Sequence, residues 1–169
     1  MKKQPFVIQF VGYSDSGKTT LLTKLIPLLE QSGLRVGVVK HDGSHDFAID
    51  QPGKDTWRYR EAGASFVAIT SRTKTAVIEQ RPTPLPQLVE RLAQAGADLV
   101  LVEGFKQEGY PKLVLLRRPQ DAELLDSVTN IIGTVACEPI ARDEWPRFSV
   151  DDAEAIAQFV KQRLSESSG

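Results

Sequence analysis

Hydrophobic and polar positions follow one another along this chain with two periods, close to two over short runs and close to 3.6 over longer ones. Phe6 to Val11 is apolar and β-rich apart from Gln9, and predicts a first strand. Lys18 to Gln31 carries Leu21, Leu22, Leu25, Leu28 and Leu29 at helical spacing, so strand, glycine-rich turn and helix follow in order. Pro27 lies inside that helix and is expected to kink it or remove a hydrogen bond, and Gly33 supplies a stop. Arg35 to Lys40 predicts the second strand.

From His41 to Gly53 the pattern is lost in a polar stretch, and loops of this length tend to be functional or mobile. A helix is expected over about Lys54 to Ala62, then two short strands, Phe66 to Thr70 and Thr75 to Glu79, around a polar turn. Pro82, Pro84 and Pro86 mark a connection into a helix from Leu85 to Ala95 that Gly96 stops. Asp98 to Glu103 reads as a buried strand. Lys112 to Arg117 and Ile131 to Ala136 predict two more, with a short helix around Asp121 to Leu125, and Asp151 to Leu164 predicts the terminal helix. Strands alternating with helices give an α/β fold of three layers, a mainly parallel sheet with helices on both faces.

No repeat, low-complexity tract or linker divides the 169 residues, so one domain spanning 1–169 is expected, long enough to bury a core. Lysine and arginine total 21 against 22 acids, a net charge of −1, which gives no basic excess for nucleic acid or anionic lipid. Cys137 is the single cysteine, so no internal disulfide or cysteine-cluster metal site is possible. With no apolar stretch near the roughly 20 residues of a membrane helix, a soluble, cytoplasmic protein is expected.

The candidate chemistry begins in the first turn. Gly12-Tyr13-Ser14-Asp15-Ser16-Gly17-Lys18-Thr19 fits G-x-x-x-x-G-K-[ST] at every fixed position and lies at a strand-to-helix junction. Glycine lets several backbone N–H groups converge with the helix N-terminus on phosphate oxygens. Lys18 adds a cation near the outer phosphates, and Thr19 offers a hydroxyl to Mg2+. The string resembles the phosphate loop of P-loop NTPases, which implies that the α/β fold is P-loop NTPase-like. An ordinary glycine-rich turn is the bland alternative, and Thr20 can simply pack in the first helical turn.

Glu103 follows four apolar residues at the end of a strand, where a second acid would hold magnesium directly or through water. A surface glutamate is the competing reading, and Asp98 at the other end of the strand is expected to lie too far away. Lys40 and His41 open the polar loop near the carboxyl ends of the strands, where open α/β sheets bind ligands. Asp42, Asp46, Asp50 and Asp55 can orient water or magnesium there, or the loop can be merely solvated. His41 and His45 are four apart, a metal spacing only on a helix, and Gly43 opposes one. Arg58, Arg60 and Glu61 are expected on a solvated helix face, with Trp57 and Tyr59 in the core or, as the alternative, at an interface. Thr75 to Ile78 can form an edge strand for another chain or pair within the sheet.

Three motifs in order, the phosphate loop with Thr20-Leu21, Lys40-His41 through Asp55 with Arg58 and Ala62-Gly63-Ala64, and Val102-Glu103-Gly104-Phe105-Lys106 with Lys112, resemble the molybdopterin-guanine dinucleotide biosynthesis adapter (MobB) family from about Phe6 to Arg117. The resemblance implies a GTP-binding P-loop protein, often dimeric, with weak GTPase activity. It would assist the guanylyltransferase that joins GMP to molybdopterin, and help deliver the molybdopterin-type cofactor to molybdoenzymes or their chaperones. Carried over by position, Gly12, Ser14, Asp15, Ser16, Gly17, Lys18, Thr19 and Thr20 would hold phosphates and magnesium, and Glu103 would be the Walker-B-like acid. Lys18 and Glu103 would then carry the hydrolysis. Lys40, His41, Asp50 and Lys106 match family positions without an assigned role. Guanine preference rests on the resemblance, because no Asn-Lys-x-Asp or Thr-Lys-x-Asp string occurs. A small-molecule kinase and a non-hydrolysing nucleotide-dependent binding module are the rival readings.

Overall fold

A computed structural model describes residues 4–43 and 46–167. In chain order the elements are β1 (Phe6–Val11), α1 (Lys18–Gln31), β2 (Val36–Lys40), α2 (Asp55–Glu61), β3 (Phe66–Thr70), β4 (Thr75–Glu79), α3 (Leu85–Ala95), β5 (Leu99–Glu103), β6 (Lys112–Leu116), a 3-10 helix (Pro119–Asp126), β7 (Ile131–Ala136), β8 (Arg147–Ser149) and α4 (Ala153–Glu166). These residues form two compact units, Met1–His41 with Leu85–Gly169, and Asp42–Pro84.

The larger unit is built on a six-stranded sheet in the order β2-β5-β1-β6-β7-β8, with every neighbouring pair parallel. Parallel strands need crossover connections, and the helices that make them cover the sheet. On one face α1 and α4 pack Leu21, Leu25, Leu29, Ile156 and Val160 against Ile8, Phe10, Leu99, Leu101, Leu113 and Leu115. The alternate strand positions point the other way. There Val7, Val100 and Val102 meet Leu85 and Val89 of α3, and Val11, Val114 and Leu116 meet Leu124 and Leu125 of the 3-10 helix. That second face also carries two fully buried polar residues, Gln9 and Lys112, in register on β1 and β6.

Helix α1 continues through Pro27 to Gln31 and is capped at Ser32, after which Gly33 takes φ 88°. The expected helix at 121–125 is a longer 3-10 helix opened by Pro119 and anchored by buried Asp121, which accepts hydrogen bonds from the Arg117 and Arg118 amides. Strand β8 has no counterpart in the sequence reading, since three residues are too few for an alternation signal. It is held by pairing with Thr134, Val135 and Ala136.

In the smaller unit β3 and β4 form an antiparallel ribbon, pairing Phe66 with Glu79 through Thr70 with Thr75. Thr75 to Ile78 therefore pairs within the chain. Two expectations fail here. Helix α2 has no fully buried residue, so Trp57 and Tyr59, the latter 59% exposed, lie outside the core, and Arg60 turns inward to pair with Asp50 at 3.5 Å, both side chains being largely buried. A seven-residue helix has too few turns to bury a whole face, so which of its residues turn inward depends on local partners. Among the described residues no helix is long and apolar enough to cross a membrane.

Candidate functional site

The candidate site forms where β1 ends and the chain turns into α1. Gly12 is needed for close packing: a Cβ there would stand 2.5 Å from Ser16 Oγ and 3.0 Å from the Leu115 carbonyl. Asp15 at φ 59° and Gly17 at φ 91° bend the loop through the left-handed region, which glycine enters without steric cost and aspartate tolerates better than most residues. From within the loop Lys18 Nζ donates to the carbonyls of Gly12 at 3.0 Å and Tyr13 at 2.7 Å, and to Ser16 Oγ at 3.2 Å. Burial pushes the Lys18 ammonium below the ordinary lysine value, with Lys106 and Lys40 adding to the shift and Glu103 and Asp15 opposing it. The loop thus concentrates positive charge at the N-terminus of a 14-residue helix.

Glu103 ends β5 in register with Phe10 of β1 and Lys40 of β2, which brings its carboxylate to the mouth of the loop. Thr19 Oγ1 lies 3.2 Å from both Glu103 carboxylate oxygens. A hydroxyl facing a carboxylate is a hard oxygen donor set of the kind Mg2+ takes, with water and phosphate oxygens supplying the remaining positions. Among the described residues no three His, Cys, Asp or Glu side chains gather into a metal site. Asp98 is at the far end of β5, where it bonds the Arg35 amide at 2.9 Å.

His41 continues from β2, its amide donating to the Glu103 carbonyl at 3.0 Å and its ring lying 4.6 Å from that of Phe105. Lys106 places its ammonium 4.9 Å from the centre of the Tyr13 ring. Ser14, Asp15, Thr19 and Thr20 are exposed and Ser16 is buried. The larger unit therefore gathers the loop, Glu103, Lys40, His41 and Lys106 at one end of the sheet. Asp50 belongs to the smaller unit, where its carboxylate accepts from Thr56 Oγ1 at 2.9 Å and pairs with Arg60. His45 lies outside the described residues.

Two contributors were not read from the sequence. Arg117, just past β6, donates to the Asp15 carbonyl at 2.8 Å and ties the next strand end to the loop. Tyr13 donates to Glu123 of the 3-10 helix at 3.0 Å. Neither has a local signal, because each contact spans more than a hundred residues.

The model of one family, molybdopterin guanine dinucleotide synthesis protein B (MobB), matches residues 7–138, the stretch that contains all of these elements. The chain belongs to the MobB family. A molybdopterin-guanine dinucleotide biosynthesis adapter protein of Haemophilus influenzae is 36% identical over 171 residues, covering 100% of this chain and 95% of that protein. The adapter protein of the same description from Escherichia coli is 35% identical, with 96% and 95% covered. Among solved structures, Bacillus subtilis MobB superposes with a TM-score of 0.80 at 30% identity, covering 92% of this chain and 96% of that one. MobB structures thus share the parallel sheet and the helices that position the loop.

Proposed function

We propose that this MobB-family chain binds GTP with Mg2+ at Gly12–Thr19 and acts as an adapter in molybdopterin guanine dinucleotide biosynthesis, hydrolysing the nucleotide slowly. The observation that carries the nucleotide reading is the placement of Thr19 Oγ1 against both oxygens of Glu103 beside the Lys18 ammonium. A triphosphate would replace the Gly12 and Tyr13 carbonyls as the partner of Lys18 Nζ, and the loop amides would receive the phosphate oxygens. Thr19 and Glu103 would hold Mg2+, which when bound neutralises charge on the phosphates. Lys18 would stabilise the charge that develops on the γ-phosphoryl oxygens as water attacks, while the loop keeps the phosphate chain aligned. Guanine as the base, and a weak rate, are what the family resemblance implies.

The adapter role rests on family membership and on the full-length similarity to adapter proteins. The partners it implies are the molybdopterin guanylyltransferase, a molybdopterin-type cofactor, and molybdoenzymes or their chaperones. A second copy of the chain is the further partner. On one face of the β3–β4 ribbon Phe66 is exposed by 61% and Val77 by 62%, with Ile69 exposed by 53% on the other, and large apolar side chains left open on a short ribbon favour a covering surface.

Two measurements test this reading. The chain should retain purified guanylyltransferase in a pull-down, and should release phosphate and GDP from GTP with no phosphorylated small molecule formed. Transfer of phosphate to an acceptor would convert the reading to a kinase, and loss of both nucleotide and guanylyltransferase binding would remove it.

A further inference from the structure

Gln9 and Lys112 are fully buried, face each other in register on β1 and β6, and interrupt an otherwise apolar side of the sheet. Both side chains serve one segment, the turn that follows Glu103. Gln9 Nε2 donates to the carbonyls of Gly104 at 3.0 Å and Phe105 at 2.7 Å. Lys112 Nζ donates to the carbonyls of Glu108 and, at 3.0 Å, Tyr110. Asn130 Nδ2 donates to the Gly109 carbonyl at 2.9 Å and the Gln9 backbone N–H donates to that of Pro111 at 2.8 Å.

The segment needs this support. Gly104 at φ 90° and Phe105 at φ 55° are successive left-handed residues, a conformation that phenylalanine resists. Their carbonyls turn toward Gln9, whose side-chain amide satisfies both. Burial holds the Lys112 ammonium below the ordinary lysine value, with Glu108 opposing the shift, so a cation here carries a desolvation cost that methionine of similar length would avoid. What the cation supplies is geometry: two donors reach carbonyls two residues apart. The tip so held carries Lys106, whose ammonium lies over the ring of Tyr13 in the phosphate loop and within electrostatic reach of Lys18.

We propose that Gln9 and Lys112 are positioning residues for the phosphate site, clamping residues 104–110 so that Lys106 stands beside the phosphate loop. This rests on the nucleotide reading above and deepens it. The clamp acts on phosphate binding through Lys106, which fixes how the variants must combine.

The test is titration of a fluorescent GTP analogue with Mg2+ into the full chain and its variants. Lys106→Met should weaken binding about tenfold, the size of one charge-assisted contact. Lys112→Met and Gln9→Met should each weaken it about three- to tenfold, and the Lys106→Met/Lys112→Met double variant should bind no more weakly than Lys106→Met. Multiplying losses in the double variant, or wild-type affinity in both folded clamp variants, would overturn the proposal. So would failure of both clamp variants to fold, which would assign the pair to folding. Amide hydrogen exchange without nucleotide separates the clamp from the nucleotide reading. Exchange over 106–110 should accelerate at least about tenfold in the clamp variants while exchange in α1 stays unchanged, and unaltered exchange over 106–110 would overturn the clamp even where GTP binds. A wild-type chain that binds no nucleotide but shows the exchange change would overturn the nucleotide reading instead.

Discussion

Lys18 sits where burial and two neighbouring ammonium groups oppose its charge, so its folded-state value lies below 10.5. Between its folded and unfolded values the folded chain binds fewer protons than the unfolded one, so this residue makes stability rise with pH through that window. Nucleotide binding has the opposite sign, because a triphosphate favours the charged ammonium. GTP affinity should therefore be highest below the Lys18 value of the free protein and fall as pH rises toward 10.5, and Lys18→Met should abolish that fall along with about a hundredfold of affinity. Titrations at a series of pH values check both, and a pH-independent wild-type affinity would contradict the role. For Glu103→Gln the expected effect is selective: GTP affinity with Mg2+ should drop to the level measured without it, since the carboxylate facing Thr19 would be gone. The tight turn from Gly12 to Thr19 was legible in the sequence because its pattern is local, a glycine and lysine spacing within eight residues. Arg117 and Gln9 were not, because their partners at Asp15 and at Gly104 and Phe105 are brought near only by the sheet.

Among the elements, α1 does the most to link packing and chemistry. Its N-terminus faces the site while Leu21, Leu22, Leu25 and Leu29 are buried along one stripe. Leu25→Ala should cost about 2–5 kcal/mol of stability, seen as a lower urea midpoint, while leaving the phosphate loop's sequence intact. Strongly periodic segments such as α1 and α3 were readable to the residue, because glycines at 33 and 96 adopt left-handed geometry just beyond them. The 3-10 helix was read as a shorter helix, since its form depends on Asp121 capturing the Arg117 and Arg118 amides. Strand β8 was invisible for a related reason: its three residues are a strand by virtue of β7 beside them.

At the scale of the whole molecule, alternation of strands and helices predicted a mainly parallel sheet, and the larger unit has one throughout. The polar stretch from His41 and the prolines at 82, 84 and 86 lie at the two limits of the smaller unit, Asp42–Pro84, but they read in the sequence as a loop and a connection because the division itself is one of contacts. Exposed Phe66 and Val77 on the β3–β4 ribbon lead to a prediction about assembly. Sedimentation should give a species of twice 18.7 kDa, and Phe66→Ser combined with Val77→Lys should shift it toward the monomer. The central claim, that Gly12–Thr19 and Glu103 form a magnesium-dependent guanine nucleotide site, meets its most direct test in one calorimetric titration of GTP and ATP, each with and without Mg2+. GTP should bind at least about tenfold more tightly than ATP and should weaken when Mg2+ is withdrawn; no binding of either nucleotide, or equal binding by Lys18→Met, would contradict it.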